Sequence, residues 1–154
     1  MTQIVNLRGD EWTEKQGRGG YVIRELAVAK RLGAELLGAT LYELAPGSAI
    51  CPYHYHHGEE ELALVLSGRV TLRSPRGEEP LRPGDLELFR QGPGGAHLIR
   101  NTGDEPARVL MLSSISAVGV TIYPDSAKVG AWADGNSWLA READTHVDYW
   151  DGEA

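Results

Sequence analysis

Apolar and polar positions along this chain alternate in short bursts rather than in helical stripes. Between residues 34 and 123 the bursts read "AELLGATLYEL", "ELALVLSG", "RVTLRS", "DLELFR", "HLIRN", "ARVLMLSS" and "VGVTIY". Successive side chains of a strand point to opposite faces, so this period-two pattern predicts short strands with one buried face. Turn signals separate them: "APGS" at 45–48, Gly68, the pair Pro83 and Gly84, "QGPGGA" at 91–96 and "TGDEP" at 102–106. Strands in such close and regular succession close into a barrel or fold as a jelly roll, so the chain is expected to be all-β.

The two ends follow the pattern less well. "WTEKQGRGG" at 12–20 reads as loop, and "YVIRELAVAKRLG" at 21–33 as a strand running into a short helical turn. "PRGEEPLRPGD" at 75–85 reads as consecutive turns, and beyond Pro124 the alternation fades into an irregular tail. The expectation is one domain over 1–154, with a barrel core of about 34–123 on which the N-terminal segment 1–33 and the tail 124–154 pack. Trp132, Trp138 and Trp150 in that tail are expected to serve as apolar anchors against the barrel or a partner subunit.

Composition narrows the function classes. A chain of 154 residues can bury a core without disulfides. Its lone cysteine, Cys51, has no internal partner, and the first residues lack the basic start and apolar run of a secretion signal, so a cytoplasmic protein is expected. A formal charge of −7 with no basic cluster argues against nucleic acid and anionic membranes, and no apolar window is long enough to cross a bilayer. The expected partner is a small molecule or a second copy of the chain.

Ligand chemistry gathers in "CPYHYHHGEEELALVLSGRV" at 51–70. Side chains two apart in a strand share a face, so His54 and His56 form an imidazole pair while Tyr53, Tyr55 and His57 point away. The next strand opens with Glu61, whose rival for a place beside the rings is Glu60. His97 begins a later strand, and a barrel that brings it alongside completes three imidazoles and one carboxylate. His57 is expected at the surface or behind the ligands, and His146 as structural or exposed. Cys51 reads as a buried, inert thiol, Asn101 as a residue that ties down the following turn, and Asp125, Ser126 and Lys128 as a polar turn.

The order Gly47, His54, His56, Glu61, Gly68, followed by Gly84, Pro93, Gly95, His97, Asn101, resembles the two motifs of the cupin superfamily. The six residues between Glu61 and Gly68 match that pattern and favour Glu61 over Glu60. Departures are one extra residue between Gly47 and His54, a longer interval between Gly84 and Pro93, and a Gly95 one residue nearer His97. "YPDSAKV" at 123–129 and "DYWDGE" at 148–153 are also similar to segments of a functionally uncharacterised group of bacterial single-domain cupins. The resemblance implies a double-stranded β-helix, a homodimer, and one divalent transition metal held by His54, His56, Glu61 and His97.

Three imidazoles and a carboxylate suit manganese, iron, cobalt, nickel or zinc and leave open positions for a substrate. The expected function is therefore a metal-dependent isomerase, lyase or dioxygenase acting on a small organic acid or sugar-like molecule. A non-catalytic module that holds a metal or small ligand is the alternative, since fold does not decide function. Parity from Glu61 and His97 turns Ala63, Val65, Ser67 and Ile99 inward, which predicts a mostly apolar pocket with few groups for proton transfer and no evident general base.

Overall fold

The computed structural model describes residues 4–153, so the expected N-terminal segment is seen from residue 4 and the tail up to residue 153. Thirteen strands are present among the described residues: β1 (Glu14–Arg18), β2 (Tyr21–Leu26), β3 (Leu37–Leu44), β4 (Tyr55–His57), β5 (Glu61–Ser67), β6 (Val70–Ser74), β7 (Gly77–Leu81), β8 (Leu86–Phe89), β9 (Leu98–Asn101), β10 (Ala107–Ser114), β11 (Gly119–Tyr123), β12 (Lys128–Ala133) and β13 (Asn136–Arg141). A single α-helix, α1 (Val28–Leu32), follows β2 as the sequence suggests.

The strands form an antiparallel jelly roll. One wall is a six-stranded sheet in the order β1-β2-β3-β10-β5-β8; the other comprises a four-stranded sheet β13-β12-β11-β4 and a three-stranded sheet β7-β6-β9. A bridge between His54 and His97 joins the starts of β4 and β9, and one between Ala49 and Arg100 ties the loop before β4 to β9. The expected alternation decides what fills the space between the walls. Ile23, Leu44, Val65, Phe89, Val109 and Met111 project inward from the six-stranded sheet and meet Val70, Leu72 and Ile99 from the opposite one. Burying such side chains contributes roughly 1.5–3 kcal/mol each.

The outer face of the six-stranded sheet is apolar too, and the N-terminal segment covers part of it. Leu26, Val28, Leu41 and Leu110 pack there under Val5, Leu7 and Trp12. A buried Glu43 accepts from Arg24 and from Arg108 Nε at 2.8 Å, and Arg108 also donates to the carbonyls of Leu7 and Gly9. The segment is thereby fastened by charge-assisted hydrogen bonds, which are stronger than neutral ones.

The tail is more ordered than its sequence suggests. β12 and β13 form a hairpin that continues β11, so irregular chain is confined to the stretch beyond Arg141. Trp132 is the anchor of the three tryptophans: it lies on Gly119, where any Cβ would overlap its ring, and its Nε1–H donates to the Ser116 carbonyl at 3.1 Å. Trp138 and Trp150 are exposed. "EKQGR" and "GEEPL", expected to be loop and turn, are the strands β1 and β7. Both pair along one side only, as hairpin edges, and an edge strand needs no buried face to hold it. No helix among the described residues is long and apolar enough to cross a membrane.

Candidate metal centre

Backbone pairing brings the distant histidines together. His54 N–H donates to the His97 carbonyl at 3.2 Å and His97 N–H to the His54 carbonyl at 2.9 Å, which fixes the two residues opposite each other. His56 follows on β4, and Glu61 begins β5. The approach to His97 is a tight turn over Pro93–Gly95. Gly95 is required there, because a Cβ would overlap the backbone of Arg90. Phe89 then stacks on the His97 ring, with centroids 3.7 Å apart, and both are buried.

Four side chains converge as a result. Glu61 Oε2 lies 3.2 Å from His56 Nε2, 3.2 Å from His97 Nε2 and 3.8 Å from His54 Nε2. The ligand atoms offered by His54, His56 and Glu61 all fall within 4.8 Å of one another, close enough to hold a metal ion. The far side of each ring is tethered. His54 Nδ1–H donates to the Pro52 carbonyl and His97 Nδ1–H to the Gly95 carbonyl, each at 2.9 Å, and Thr121 Oγ1 lies 3.0 Å from His56 Nδ1.

These tethers decide where the lone pairs are. A carbonyl oxygen only accepts, so the proton of His54 and of His97 sits on Nδ1 and each Nε2 presents a lone pair toward Glu61. The carboxylate is likewise acceptor-only. His56 Nε2 and Glu61 Oε2 are buried with no hydrogen-bond partner, although they face each other at 3.2 Å. The lone pairs of His54 and His97 and the Glu61 carboxylate repel one another in a low-dielectric interior, whereas a cation among them satisfies all at once. Tethering of the distal nitrogen is also what orients a metal-binding imidazole. The donor set therefore fits a divalent ion.

Charge states agree. Burial, reinforced by the neighbouring His97 and His56, pushes His54 down to about 4, so its ring is neutral at ordinary pH. Burial works against the Glu61 carboxylate, and a proton donated by His56 or His97, the positive partner whose place a metal ion would take, holds the group well below the usual carboxylate range.

The cluster lines a cavity of about 470 Å³. Arg18, Tyr21 and Glu25 of the β1–β2 hairpin, Tyr42 of β3, and Ile50, Cys51 and Pro52 line it as well. Burial, then the negative charge of Glu25 and Glu61, raises Tyr42 far above the ordinary tyrosine range, so it remains a neutral hydroxyl. Burial and Glu61 push the Cys51 thiol up to about 12. Its Sγ lies 3.4 Å from His54 Nδ1.

The cupin domain family matches residues 40–113. A solved structure from Acidithiobacillus ferrooxidans, provisionally named a sugar phosphate isomerase, is 32% identical with a TM-score of 0.77 over 84% of this chain and 82% of its own. The chain belongs to the cupin superfamily. A further cupin structure, from Silicibacter pomeroyi and named a sugar phosphate isomerase, has the same fold at 24% identity and a TM-score of 0.76, covering 82% of this chain and 81% of that one. Auxin-binding protein 1 of Arabidopsis thaliana is 29% identical over 128 residues, 79% of this chain but 64% of the plant protein's length.

In this cupin the four expected ligands meet, and the rivals stand apart. Glu60 is exposed, its backbone N–H donating to Ser114 Oγ at 3.1 Å. His57 is exposed with its ring edge-on to Tyr55, and His146 is exposed in the tail. Asn101 ties its turn as expected, donating to the Leu44 and Glu105 carbonyls and accepting from Gly103 N–H. Asp125 pairs with Arg73 beside the polar turn. Cys51 borders the cavity, half-buried as a residue, and its raised thiol is protonated and inert at ordinary pH, as expected.

The pocket is mostly apolar, as expected, but it also carries polar groups that parity from β5 and β9 does not reach. Glu25, Tyr21, Tyr42 and Arg18 come from strands that this parity never includes. Thr121 was missed as well; its signal is a lone inward polar residue in "VGVTIY", opposite His56 in the β4–β11 register.

Proposed function

We propose that this cupin holds one divalent transition metal through His54, His56, Glu61 and His97, and that it is a metal-dependent isomerase of small hydroxylated carbonyl compounds. The observation that carries the reading is the convergence of three imidazole Nε2 atoms on Glu61 Oε2, with His56 Nε2 and Glu61 Oε2 buried and without a hydrogen-bond partner. Manganese, iron, cobalt, nickel and zinc all suit three imidazoles and a carboxylate. Such an ion, when bound, polarises a carbonyl or hydroxyl oxygen.

The chain's own residues would do the rest. Glu25 is the cavity's carboxylate outside the imidazole cluster, and we assign it the transfer of a proton to and from the carbon beside the polarised oxygen. Tyr42, held neutral, donates a hydrogen bond to a substrate hydroxyl. Ile23, Ile50, Ile99 and Met111 supply the apolar lining that excludes water. An acid–base group in the cavity and the provisional name of the 32% identical structure favour an isomerase over a lyase or dioxygenase. The second reading, a non-catalytic ligand holder, draws on the likeness to a protein named for binding auxin.

Two measurements separate these readings. Tag-free protein should contain stoichiometric metal that is lost in His54→Ala and His97→Ala. In deuterium oxide, the loaded protein should exchange the α-hydrogen of members of a panel of hydroxyketones and aldoses, and Glu25→Gln should abolish the exchange while keeping the metal. Metal without exchange would support the holder. We further place the protein in the cytoplasm, and as a homodimer joined through the outer sheet face, where Leu86, Leu88 and Leu112 are exposed.

A further inference from the structure

The cavity lining carries a charge that proton transfer does not need. Arg18 is the lone arginine or lysine among the described residues that line the cavity. The guanidinium groups of Arg24, Arg73, Arg76 and Arg108 are each committed to a carboxylate. Arg18 has no hydrogen-bond or ion-pair partner among the described residues, in a chain whose formal charge is −7.

Its position is set by the backbone. Arg18 pairs with Tyr21 across the β1–β2 turn, and Gly19 at φ 55 lets the chain reverse there. The turn is then tied down, because the Gly20 carbonyl accepts from Ala49 N–H at 2.9 Å. Ala49 leads directly into Cys51, Pro52 and His54, so the same tie sets the hairpin tip against the loop that carries the first metal-site histidine. Arg18 itself is exposed at the rim, while the metal cluster is buried.

The same cavity is lined by groups that recognise hydroxyls. Tyr21 and Tyr42 can donate or accept, and Glu25 accepts only. A bare anion in mid-cavity would be repelled by Glu25, whereas a hydroxyl there would be bound. We propose that Arg18 anchors the oxyanion head, carboxylate or phosphate, of a polyhydroxylated substrate whose other end reaches the metal centre. The inference rests on the metal-dependent reading and narrows its substrate to hydroxylated oxyanions. A guanidinium suits this task, since its fork matches both carboxylate and phosphate.

The test is isothermal titration of zinc-loaded, tag-free protein with three probes matched in carbon skeleton: erythritol 4-phosphate, erythronate and erythritol. At least one anion should bind on the order of tenfold to a hundredfold more tightly than erythritol, the range expected for charged hydrogen bonds. Whichever anion is preferred identifies the head group. Arg18→Gln should abolish the preference, Arg18→Lys should retain part of it, and Arg76→Gln, outside the cavity, should leave it intact. The proposal is overturned if Arg18→Gln keeps the preference, if erythritol binds as tightly as both anions, or if loaded protein binds none of the three. Elemental analysis of the same samples keeps the two ideas apart. Metal present without an anion preference removes the Arg18 anchor alone, whereas a wild-type protein that takes up no metal removes the reading beneath it.

Discussion

The imidazole cluster and the rest of the cavity lining are built by different means. The cluster is short-range and tethered: every ring has its distal nitrogen against an oxygen, and His54 and His97 are locked by reciprocal backbone bonds. The rest of the polar lining comes from a hairpin at the sheet edge and from β3. One is organised to hold an ion in a fixed geometry and the other to meet ligands that vary. On a shared barrel, affinity for the ion can thus persist while substrate choice is altered from the hairpin.

The largest effect should come from removing the carboxylate. Glu61→Gln leaves a neutral amide amid three Nε2 atoms, and stoichiometric metal should fall to background by elemental analysis. Unchanged metal would mean that the acceptor cluster is not the binding site.

A second expectation concerns acid. In metal-stripped protein His54 faces His56, His97, Glu61 and Cys51, and its pKa is near 4 when folded against 6.5 ordinarily. The unfolded chain therefore binds more protons between those values, so stability present above pH 6.5 is lost as pH falls toward 4. The loss is about 3 kcal/mol at most. Glu61, depressed from its ordinary 4.5, adds a loss of the same sign at lower pH. Urea unfolding across this range should show the slope, and His54→Asn should flatten it between pH 6.5 and 4; an unflattened slope would assign it to other groups.

Smaller still is the tether. Thr121→Val removes the oxygen beside His56 Nδ1 and should weaken metal binding about 10- to 100-fold in a competition assay with a chelator, with the fold intact. Equal affinity would show that the His56 ring is oriented by packing against Trp132 instead. The smallest effect tests the rest of the lining: Tyr42→Phe should leave metal content unchanged and alter stability by no more than about 1 kcal/mol. Loss of metal in that variant would erase the division between the two.

How far the chain could be read beforehand follows the same division. β3, β5, β6, β8, β9, β10 and β11 were legible from alternation and their turn signals, because most of them bury one face. β1, β7 and β13 are sheet edges, and "EKQGR" or "GEEPL" carries no apolar face to announce a strand. Pro80 in β7 is tolerated because an edge strand leaves some N–H positions unused. In the site, His54 and His56 were visible because a two-residue spacing is local. Glu25 and Thr121 were not, since each depends on a register between distant strands, Glu25 opposite Tyr42 and Thr121 opposite His56. His97 lies between these cases, legible only through its family-like setting of Gly95 and Asn101.

The central claim is that imidazoles from β4 and the approach to β9 share one ion. X-ray absorption at the metal edge, on protein purified without a histidine tag, tests it most directly by counting those rings. The account predicts three imidazole nitrogens at about 2.0–2.1 Å with additional oxygen ligation. A spectrum with one imidazole or none, or one unchanged by His97→Ala, would contradict it.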